Sequence, residues 1–419
     1  MKKKLVAILV LLLLIILFSS LYFIITNKQE KNIEVKPDPN HHQKVEIKEP
    51  EEPVETLNIT SNININENKD LEAFFKTFFD SYYKSLADLE LTDTTYMFSN
   101  LENAKVYKTA LELLITTRKE KDHDLKINDI IYTLTVDKYK EENNKITIVL
   151  YENCQYKFNF IKDVESKIYN IKNTFTLIKD ENSYKIDYYN KVQDFYVMIT
   201  DYYKIGSQGN YEEKIDQIKE NYLEVFKTEN AKILDMQTNY LNNNYTKLTC
   251  DHAYDRESAY NYAINWVGKR NPRWARFGAN CVNYVSQVMY NGGIPMDYYG
   301  DYQWKFYDSH KNDNNTASGF TYSWTWVPAL TNYFKYNKGY GLCGKYNENL
   351  YLGEKGDVVV VGTKGADRHV ITVIDQVKED GKVIDLLVNS NTVDLENFPL
   401  SAYAYPYKVL LKVYGWNEK

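Results

Sequence analysis

The sequence has few cysteines, the residues that form the disulfides and many of the metal sites of small folds. Only four of its 419 residues are cysteine, at positions 154, 250, 281 and 343, and no two of them form a C-x-x-C pair. This spacing excludes a zinc ribbon and a thioredoxin-type motif, and so low a count argues against a disulfide framework. A single Cys250–Cys343 bridge remains open. No residues show metal-ligand spacing, so we expect neither a metal nor another cofactor.

A concentrated basic stripe is also missing. The chain has 51 lysines and arginines against 57 aspartates and glutamates, which gives a net charge of −6. Nucleic acid is therefore not an expected partner. The hydrophobic fraction of 44% is enough for extensive cores, and 39 tyrosines add amphipathic rings to cores and surfaces. The length predicts two domains beyond any N-terminal segment.

Proline is rare, and four of the nine prolines stand at positions 37, 39, 50 and 53. They interrupt a Glu-, Lys- and Asn-rich stretch, which predicts a disordered linker over 27–69. Before it, three lysines precede an uncharged apolar run over 5–26. This run predicts a transmembrane signal-anchor over 1–26, and a single-pass location in the cell membrane with the bulk of the chain extracytoplasmic. A cleaved signal peptide, which would make the protein secreted, is the alternative.

The region 70–235 is predicted to be an α+β domain of unknown role. Aromatic residues at helical spacing predict helices over 71–89 and 101–117. Apolar runs between turn signals then predict an antiparallel sheet, with strands over 146–151, 156–161, 168–177 and 184–189. Helices followed by a curved meander resemble the cystatin-like or nuclear-transport-factor-like architecture. We find no catalytic constellation here, and Cys154 is interpreted as a small core residue.

The region 250–419 is predicted to be a second α+β domain, organised around a buried helix that begins near Cys281. Val282, Val285 and Met289 recur at helical spacing, and Asn291 is followed by two glycines that can end the helix. Asn280 is the expected N-cap, with its side-chain oxygen accepting a helical N–H. A thiol at a helix N-terminus meets the positive end of the macrodipole, which favours thiolate and predicts a nucleophile.

A nucleophilic thiol needs a proton acceptor and a group that orients it. His369 opens a predicted strand, and the turn at Asp380-Gly381 predicts a hairpin that places Asn391 opposite His369. Cys281, His369 and Asn391 would then form a catalytic Cys-His-Asn set. A one-residue slip in register would turn Asn391 away, and Asn389 or Asp394 would be the fallback. The alternative is that Cys281 has only a structural role, which is the commoner role of a lone buried thiol.

An ordered set of motifs carries a family resemblance over about 250–419. Tyr254-Asp255-Arg256, Asn280-Cys281-Val282-Asn283-Tyr284, Gly292-Gly293-Ile294-Pro295, Ser323-Trp324, Gly356-Asp357 and His369 stand in this order. The region resembles the putative amidase domain family and looks related to papain-like cell-wall hydrolases of the NlpC/P60 and CHAP type. The resemblance implies a papain-like fold, with Cys281 as nucleophile and His369 as base. The family typically has an acid where this chain has Asn280, and a histidine before threonine where it has Asn391.

Together these features predict a membrane-anchored extracytoplasmic cysteine amidase or peptidase that hydrolyses amide bonds of cell-wall peptidoglycan. Asn280 and Asn283 are expected to support the nucleophile or the oxyanion. Trp304, Trp324 and Trp326 lie in an irregular aromatic segment and are expected to line the substrate cleft. The expected partners are a peptidoglycan or peptide substrate and, through the N-terminal helix, the membrane. The alternative is a catalytically inactive papain-like domain that acts as a cell-wall binding or assembly protein.

Overall fold

A computed structural model describes residues 57–65, 68–180, 183–200, 211–242, 245–306, 319–363 and 366–418. The predicted signal-anchor over 1–26 and most of the predicted linker lie outside these ranges. The linker prediction fails at its C-terminal end, because Ile59–Asn64 is a strand rather than a disordered segment. Its residues alternate between half-buried and exposed, the pattern of a strand that covers one face of a core.

The structure contradicts the predicted membrane-spanning architecture. In the described ranges, no helix is both long enough and apolar enough to cross a membrane. Tyr211–Asn242, at 32 residues, has the length, but lysine and glutamate recur along it. Charged side chains in a hydrocarbon core are expensive, so length alone does not make a spanning helix. The prediction of a single-pass cell-membrane location is therefore wrong on the same finding.

Several of the helices begin where the sequence supplies a side-chain cap. Asn68 Oδ1 accepts from Leu71 N at 3.1 Å, and Asn100 Oδ1 accepts from Glu102 N at 3.0 Å. Each bond satisfies a helical N–H that has no partner within its own helix. The helices are Lys69–Asp88 (α1), Leu101–Lys119 (α2), Asp194–Thr200 (α3), Tyr211–Asn242 (α4), Arg256–Trp266 (α5), Cys281–Asn291 (α6), Tyr322–Thr325 (α7) and Val327–Tyr336 (α8).

The described strands form one 12-stranded mixed sheet, which confirms the α+β class. The strands are Ile59–Asn64 (β1), Ile127–Glu142 (β2), Lys145–Phe158 (β3), Glu165–Asp180 (β4), Ser183–Lys191 (β5), His252–Ala253 (β6), Gly341–Glu348 (β7), Val358–Thr363 (β8), Ala366–Glu379 (β9), Lys382–Ser390 (β10), Asp394–Pro399 (β11) and Tyr407–Asn417 (β12). Their order is β1-β2-β3-β4-β11-β10-β9-β8-β12-β6, with β5 on β4 and β7 on β12.

The sheet is continuous through both predicted domains. β4 pairs with β11 in antiparallel register, with Ile168 opposite Leu395. A strand from the predicted middle region therefore hydrogen-bonds to a strand from the C-terminal region. The boundaries predicted for separate domains remain predictions, but the two regions share a backbone ladder and are not joined by a linker alone.

Strand β8 and the middle of β9, from Val370 to Ile374, are buried on both faces, which explains their largely apolar sequence. Val359 and Ile371 pack into the hydrophobic core that includes α1 and α2. Val360 and Val370, one position along each strand, pack into a separate core around α6 and α8. Side chains on one strand alternate between these cores, so the face on which each candidate residue lies follows from its register.

A disulfide joins Cys250 to Cys343, which resolves the pairing that the sequence left open. Cys154 and Cys281 are the free thiols among the described residues, and both are buried. The bridge closes a loop with a sequence separation of 93 residues that contains α5 to α8. It ties the segment before α5 to β7.

Candidate active site

Helix α6 places Cys281 at its first residue, inside the protein. From Cys281 to Met289 every residue is buried, including the polar stripe of Asn283, Ser286 and Gln287. Gly293, just after the helix, has φ of +94°, so a residue in the left-handed region follows the helix as predicted. The cysteine is held by a rigid element whose whole surface is packed.

A chain of buried amides fixes the turn that leads into Cys281. Asn280 Nδ2 donates to Asn391 Oδ1 at 2.7 Å, and Asn283 Nδ2 donates to Asn280 Oδ1 at 3.0 Å. Trp324 Nε1 then donates to Asn283 Oδ1 at 3.0 Å. The Asn280 side chain therefore does not cap α6, and this prediction is wrong, because its oxygen faces Asn283 and the Phe277 N–H instead.

Thr392 holds the same turn from the opposite side. Its Oγ1 accepts from the Asn280 backbone N–H at 2.8 Å. The φ of Thr392 is +143°, a region that β-branched residues rarely enter. Backbone strain of this kind persists only where the surrounding contacts enforce it, and it clusters at functional sites.

Burial governs the electrostatics of the thiol. Desolvation raises the pKa of Cys281, and hydrogen bonding from the backbone N–H groups of Val370, Val282 and Cys281 itself opposes the shift. The negative charge of Asp194 raises the pKa further. The predicted net lowering of the pKa by the helix N-terminus is therefore wrong for this structure. The N–H groups around the sulfur nevertheless provide donors for a negative charge that forms there.

His369 lies on the strand next to the thiol but on the other face of the sheet. It is opposite Val361 in the β8–β9 register, so its ring shares the face of Val361 and Ile371. Its neighbour Val370 packs with Cys281 in the other core. Burial lowers the pKa of His369 to about 4, and its Nε2 atom is buried without a hydrogen-bond partner among the described residues.

The ring of Tyr403 stacks on His369, with centroids 6.3 Å apart and planes at 27°. No hydrogen bond joins the Cys281 sulfur to the His369 ring in the described structure, where both are buried. The backbone of β9 brings the two residues together, because the Val370 N–H faces the sulfur and His369 directly precedes it.

Asn391 is not opposite His369. In the β9–β10 register Asn389 pairs with Thr372, and continuing this pairing places Thr392 opposite His369. The predicted register is thus shifted by one residue, because the hairpin turns between Asp380 and Gly381, where Lys382 pairs with Glu379. The two bulges further along the hairpin cancel each other. The side chain of Asn391 binds Asn280 and donates to the carbonyls of Trp266 and Lys269, at 3.4 and 3.3 Å.

The two alternative orienting residues, Asn389 and Asp394, also bind groups other than His369. Asn389 shares the face of Thr372, its Oδ1 accepts from Asn397 N at 2.8 Å, and its Nδ2 is buried without a partner among the described residues. Asp394 accepts two bonds of 3.0 Å from Arg270. Among the described hydrogen bonds, none joins Asn391, Asn389 or Asp394 to His369.

Two of the three tryptophans expected in a cleft belong to the core. Trp304 and Trp324 are fully buried, with ring centroids 4.5 Å apart. Trp304 Nε1 donates to Ser286 Oγ at 3.1 Å, so its polar edge is used inside the protein. Trp326 is 56% exposed and remains available to a ligand. A large aromatic residue in an irregular segment packs inward as readily as it lines a groove, and its sequence context does not distinguish the two.

Two residues near Cys281 and His369 were not identified from the sequence. Asp194 comes from α3 in the upstream region, where nothing in its neighbours signals a site, and burial raises its pKa to about 6. Tyr403 follows the short 3-10 turn Leu400–Ala402 and is one of 39 tyrosines. Within the described ranges no three His, Cys, Asp or Glu side chains converge in a way that would hold a metal ion.

Comparison with known proteins shows what the region around this site is similar to. A curated protein of Bacillus subtilis (strain 168), Uncharacterized protein YhbB, is 31% identical over 145 residues, which is 34% of this chain and 42% of that protein. The match thus spans less than half of the length of that relative. No solved structure matches the chain significantly. Residues 253–414, which contain Cys281, His369 and Asn391, match the family described as "Putative amidase domain", and the match supports an amidase-type hydrolase.

Proposed function

We propose that the chain is a cysteine-dependent amidase in which Cys281 is the nucleophile and His369 the base. The observation that carries the proposal is the surroundings of the thiol. It lies at the first residue of a rigid, buried helix, and the backbone N–H groups of Val370, Val282 and Cys281 itself are near enough to lower the pKa of the thiol against the effect of burial. It lies within the segment that matches the amidase family.

The reaction follows from these groups. His369 accepts the thiol proton as the Cys281 sulfur attacks the amide carbonyl carbon, and the backbone N–H of Cys281 stabilises the oxyanion. The proton then passes to the leaving amine as the C–N bond breaks, which leaves a thioester on Cys281. Water activated by His369 hydrolyses the thioester and restores the thiol. In the structure the His369 side chain lies on the opposite face of β9 from the thiol, so this sequence requires the His369 side chain to reorient towards Cys281 when substrate binds.

A peptide amide is the proposed substrate class, and the stem peptide of cell-wall peptidoglycan is the substrate to test first. The experiment is incubation of the protein with peptidoglycan fragments, followed by mass analysis of the released peptides and amines. Cys281→Ala and His369→Gln should each abolish product formation. Cys154→Ala removes the other free buried thiol and should retain it. Unchanged activity in Cys281→Ala would exclude the mechanism.

The buried state of the two groups favours a second candidate function, a non-catalytic domain that binds peptides or cell wall. Burial disfavours both the Cys281 thiolate and the His369 imidazolium, so the resting pair is neutral. Labelling with iodoacetamide across a pH series distinguishes the two functions. A rate at Cys281 that responds to His369→Gln supports the enzyme. A thiol that stays inert at all pH values while the protein binds peptidoglycan supports the binding domain.

A further inference from the structure

A wide groove opens at the surface between the segment 300–305, helix α7 and helix α8. Its volume is 670 Å³, which is within the range of pockets that bind small molecules. The rings of Tyr302 and Tyr322 line it, together with polar side chains and Ala329. The groove is therefore large enough for an organic ligand, and its lining indicates the chemistry of that ligand.

Exposed aromatic rings cluster around this groove. In the described part of the chain nine aromatic side chains are exposed, and six of them lie between positions 298 and 336: Tyr298, Tyr299, Tyr302, Tyr322, Trp326 and Tyr336. The ring centroids of Tyr302 and Tyr336 are 5.2 Å apart. Those of Tyr322 and Trp326 are 6.1 Å apart. One ring of each pair lines the groove. Exposed aromatic rings that cluster in one place indicate a binding surface.

The polar part of the described lining carries no net charge. Apart from the tyrosines, its ionisable side chains are Asp301 and Lys305, whose charges are opposite. Gln303 and Asn332 add side-chain amides, each of which both donates and accepts hydrogen bonds. Hydroxyl groups also donate and accept, so they match these amides. The lining therefore favours a neutral ligand that is rich in hydroxyl groups.

The groove is attached to the helix that carries Cys281. Trp324, two residues after Tyr322 in α7, donates from Nε1 to Asn283 Oδ1 at 3.0 Å. Its carbonyl oxygen accepts from Ser286 Oγ at 3.2 Å. Both partners of Trp324 are in α6, so the element that carries the Tyr322 ring is fixed to α6. A ligand in the groove would be held at a defined position relative to the candidate active site.

We propose that this groove, here called the aromatic groove, binds a neutral oligosaccharide of pyranose rings. A pyranose ring has flat faces of C–H bonds, which pack on aromatic rings, and a rim of hydroxyl groups, which hydrogen-bond to the amides. A lipid surface is the competing occupant. It would be favoured by several exposed lysines or arginines, whereas the lysine of the described lining, Lys305, is buried. Saccharide binding does not require Cys281 to act as a nucleophile.

Isothermal titration calorimetry on the full chain tests the proposal with four probes. Chitotetraose or cellotetraose should bind saturably, since both are neutral chains of pyranose rings. Sorbitol has hydroxyl groups without a flat apolar face, and tetraglycine has amides without rings, so each should bind at least about tenfold more weakly. Equal binding of sorbitol, tetraglycine and the two tetrasaccharides would overturn the proposal. Absence of binding by both tetrasaccharides would also overturn it.

Matched variants assign the binding to the aromatic groove. Tyr322→Ser and Tyr302→Ser remove the ring and should each weaken tetrasaccharide binding at least about tenfold, whereas Tyr322→Phe keeps the flat face and should retain most of it. Tyr96 and Tyr188 are 62% and 45% exposed, close to the 61% of Tyr322 and the 41% of Tyr302. Tyr96→Ser and Tyr188→Ser, at sites outside the groove, should therefore bind as the parent does.

Two further results separate this proposal from its competitors. Cys281→Ala should bind the tetrasaccharide as the parent does, whatever the outcome for the amidase. Parent-like binding in Tyr322→Ser and Tyr302→Ser would place the saccharide elsewhere and overturn the proposal. Sedimentation with vesicles of phosphatidylcholine and phosphatidylglycerol tests the lipid surface. Vesicle binding that is lost in Tyr322→Ser would identify lipid as the occupant and overturn the proposal.

Discussion

Two buried polar clusters of this protein differ in how completely they are satisfied. The first, here called the Glu152 cluster, lies in the upstream core. Glu152 accepts from Lys191 Nζ at 2.9 Å, from Asn173 Nδ2 at 2.9 Å and from the Tyr83 hydroxyl at 2.5 Å. Tyr189 completes it by donating to Asn173 Oδ1 at 2.9 Å. Glu152 and Lys191 are at most 1% exposed, yet each polar group has a partner.

The second cluster surrounds Cys281, and it leaves several groups unsatisfied. Among the residues that the structure describes, none lies at hydrogen-bond distance from His369 Nε2 or from the Tyr403 hydroxyl, both of which are buried, and Thr392 adds a strained backbone. A buried network whose polar groups are all hydrogen-bonded stabilises the fold. Unsatisfied polar groups and backbone strain lower stability, and they persist at sites where something binds or reacts. The comparison supports the proposed functional role of the Cys281 region on grounds that do not depend on sequence families.

The largest expected effect is on the Glu152 cluster. Lys191→Met leaves a buried carboxylate unpaired and should lower the free energy of unfolding by about 3–5 kcal/mol. Cys281→Ala should cost about 1 kcal/mol or less, because the thiol pairs with no charge. Urea denaturation followed by circular dichroism measures both. Adding Glu152→Gln to Lys191→Met should recover part of the loss. Equal losses at the two sites would remove the distinction between the clusters.

A pH titration of stability should reveal the buried His369. The unfolded histidine titrates near 6.5, whereas burial holds the folded pKa at about 4. The unfolded chain therefore binds the proton first, and stability is lost as the pH falls from 6.5 towards 4, by about 3 kcal/mol. His369→Gln should remove this loss.

Asp194 titrates with the opposite sign in the same pH window. Its folded pKa, about 6, is above the unfolded value of 3.8, so protonation stabilises the folded protein as the pH falls. The effect of His369→Gln is therefore best measured in an Asp194→Asn background. If the acid-side slope is the same with and without His369 there, the histidine is not buried as the structure places it.

Thr392→Val should have a smaller effect, because it removes the oxygen that accepts from the Asn280 N–H and keeps the side-chain shape. Leaving this N–H without an acceptor should cost about 1–3 kcal/mol in urea denaturation. Thr135→Val, at an exposed position of β2, is the matched control and should be nearly neutral. A neutral Thr392→Val would show that the hydrogen bond from the Asn280 N–H to Thr392 Oγ1 contributes little to stability.

The smallest effect concerns the thiol itself. Asp194→Asn removes a negative charge that raises the pKa of Cys281, so the thiolate fraction at neutral pH should increase. We expect the rate of iodoacetamide labelling at pH 7 to rise by a factor of a few, with the pH profile shifted to lower pH. Asp163→Asn should leave the profile unchanged. A profile that moves in neither variant would separate Asp194 from the site.

Secondary structure near the site was largely predictable. The helix over Cys281–Asn291 and the strands that contain His369 and Val383 follow from periodicity, and Asp380 and Gly381 have the positive φ values that the predicted turn requires. The role of Asn391 was not predictable, because the hairpin turns between Asp380 and Gly381 and not at Asp380, which shifts the register by one residue. Because side chains on a strand alternate between its two faces, a shift of one residue moves each side chain to the other face of the sheet. The absence of a described membrane-spanning helix corrected the inferences drawn from the N-terminal run.

The sequence by itself determined the local order of helices and strands, the position of Cys281 at a helix start and the amidase-like motifs, because these depend on neighbours along the chain. Only the tertiary structure decided which side chains meet. It joined β4 to β11, placed Asp194 within electrostatic reach of Cys281, and set His369 and the thiol on opposite faces of one sheet. Contacts between residues far apart in sequence depend on strand register and burial, and neither is encoded in local periodicity.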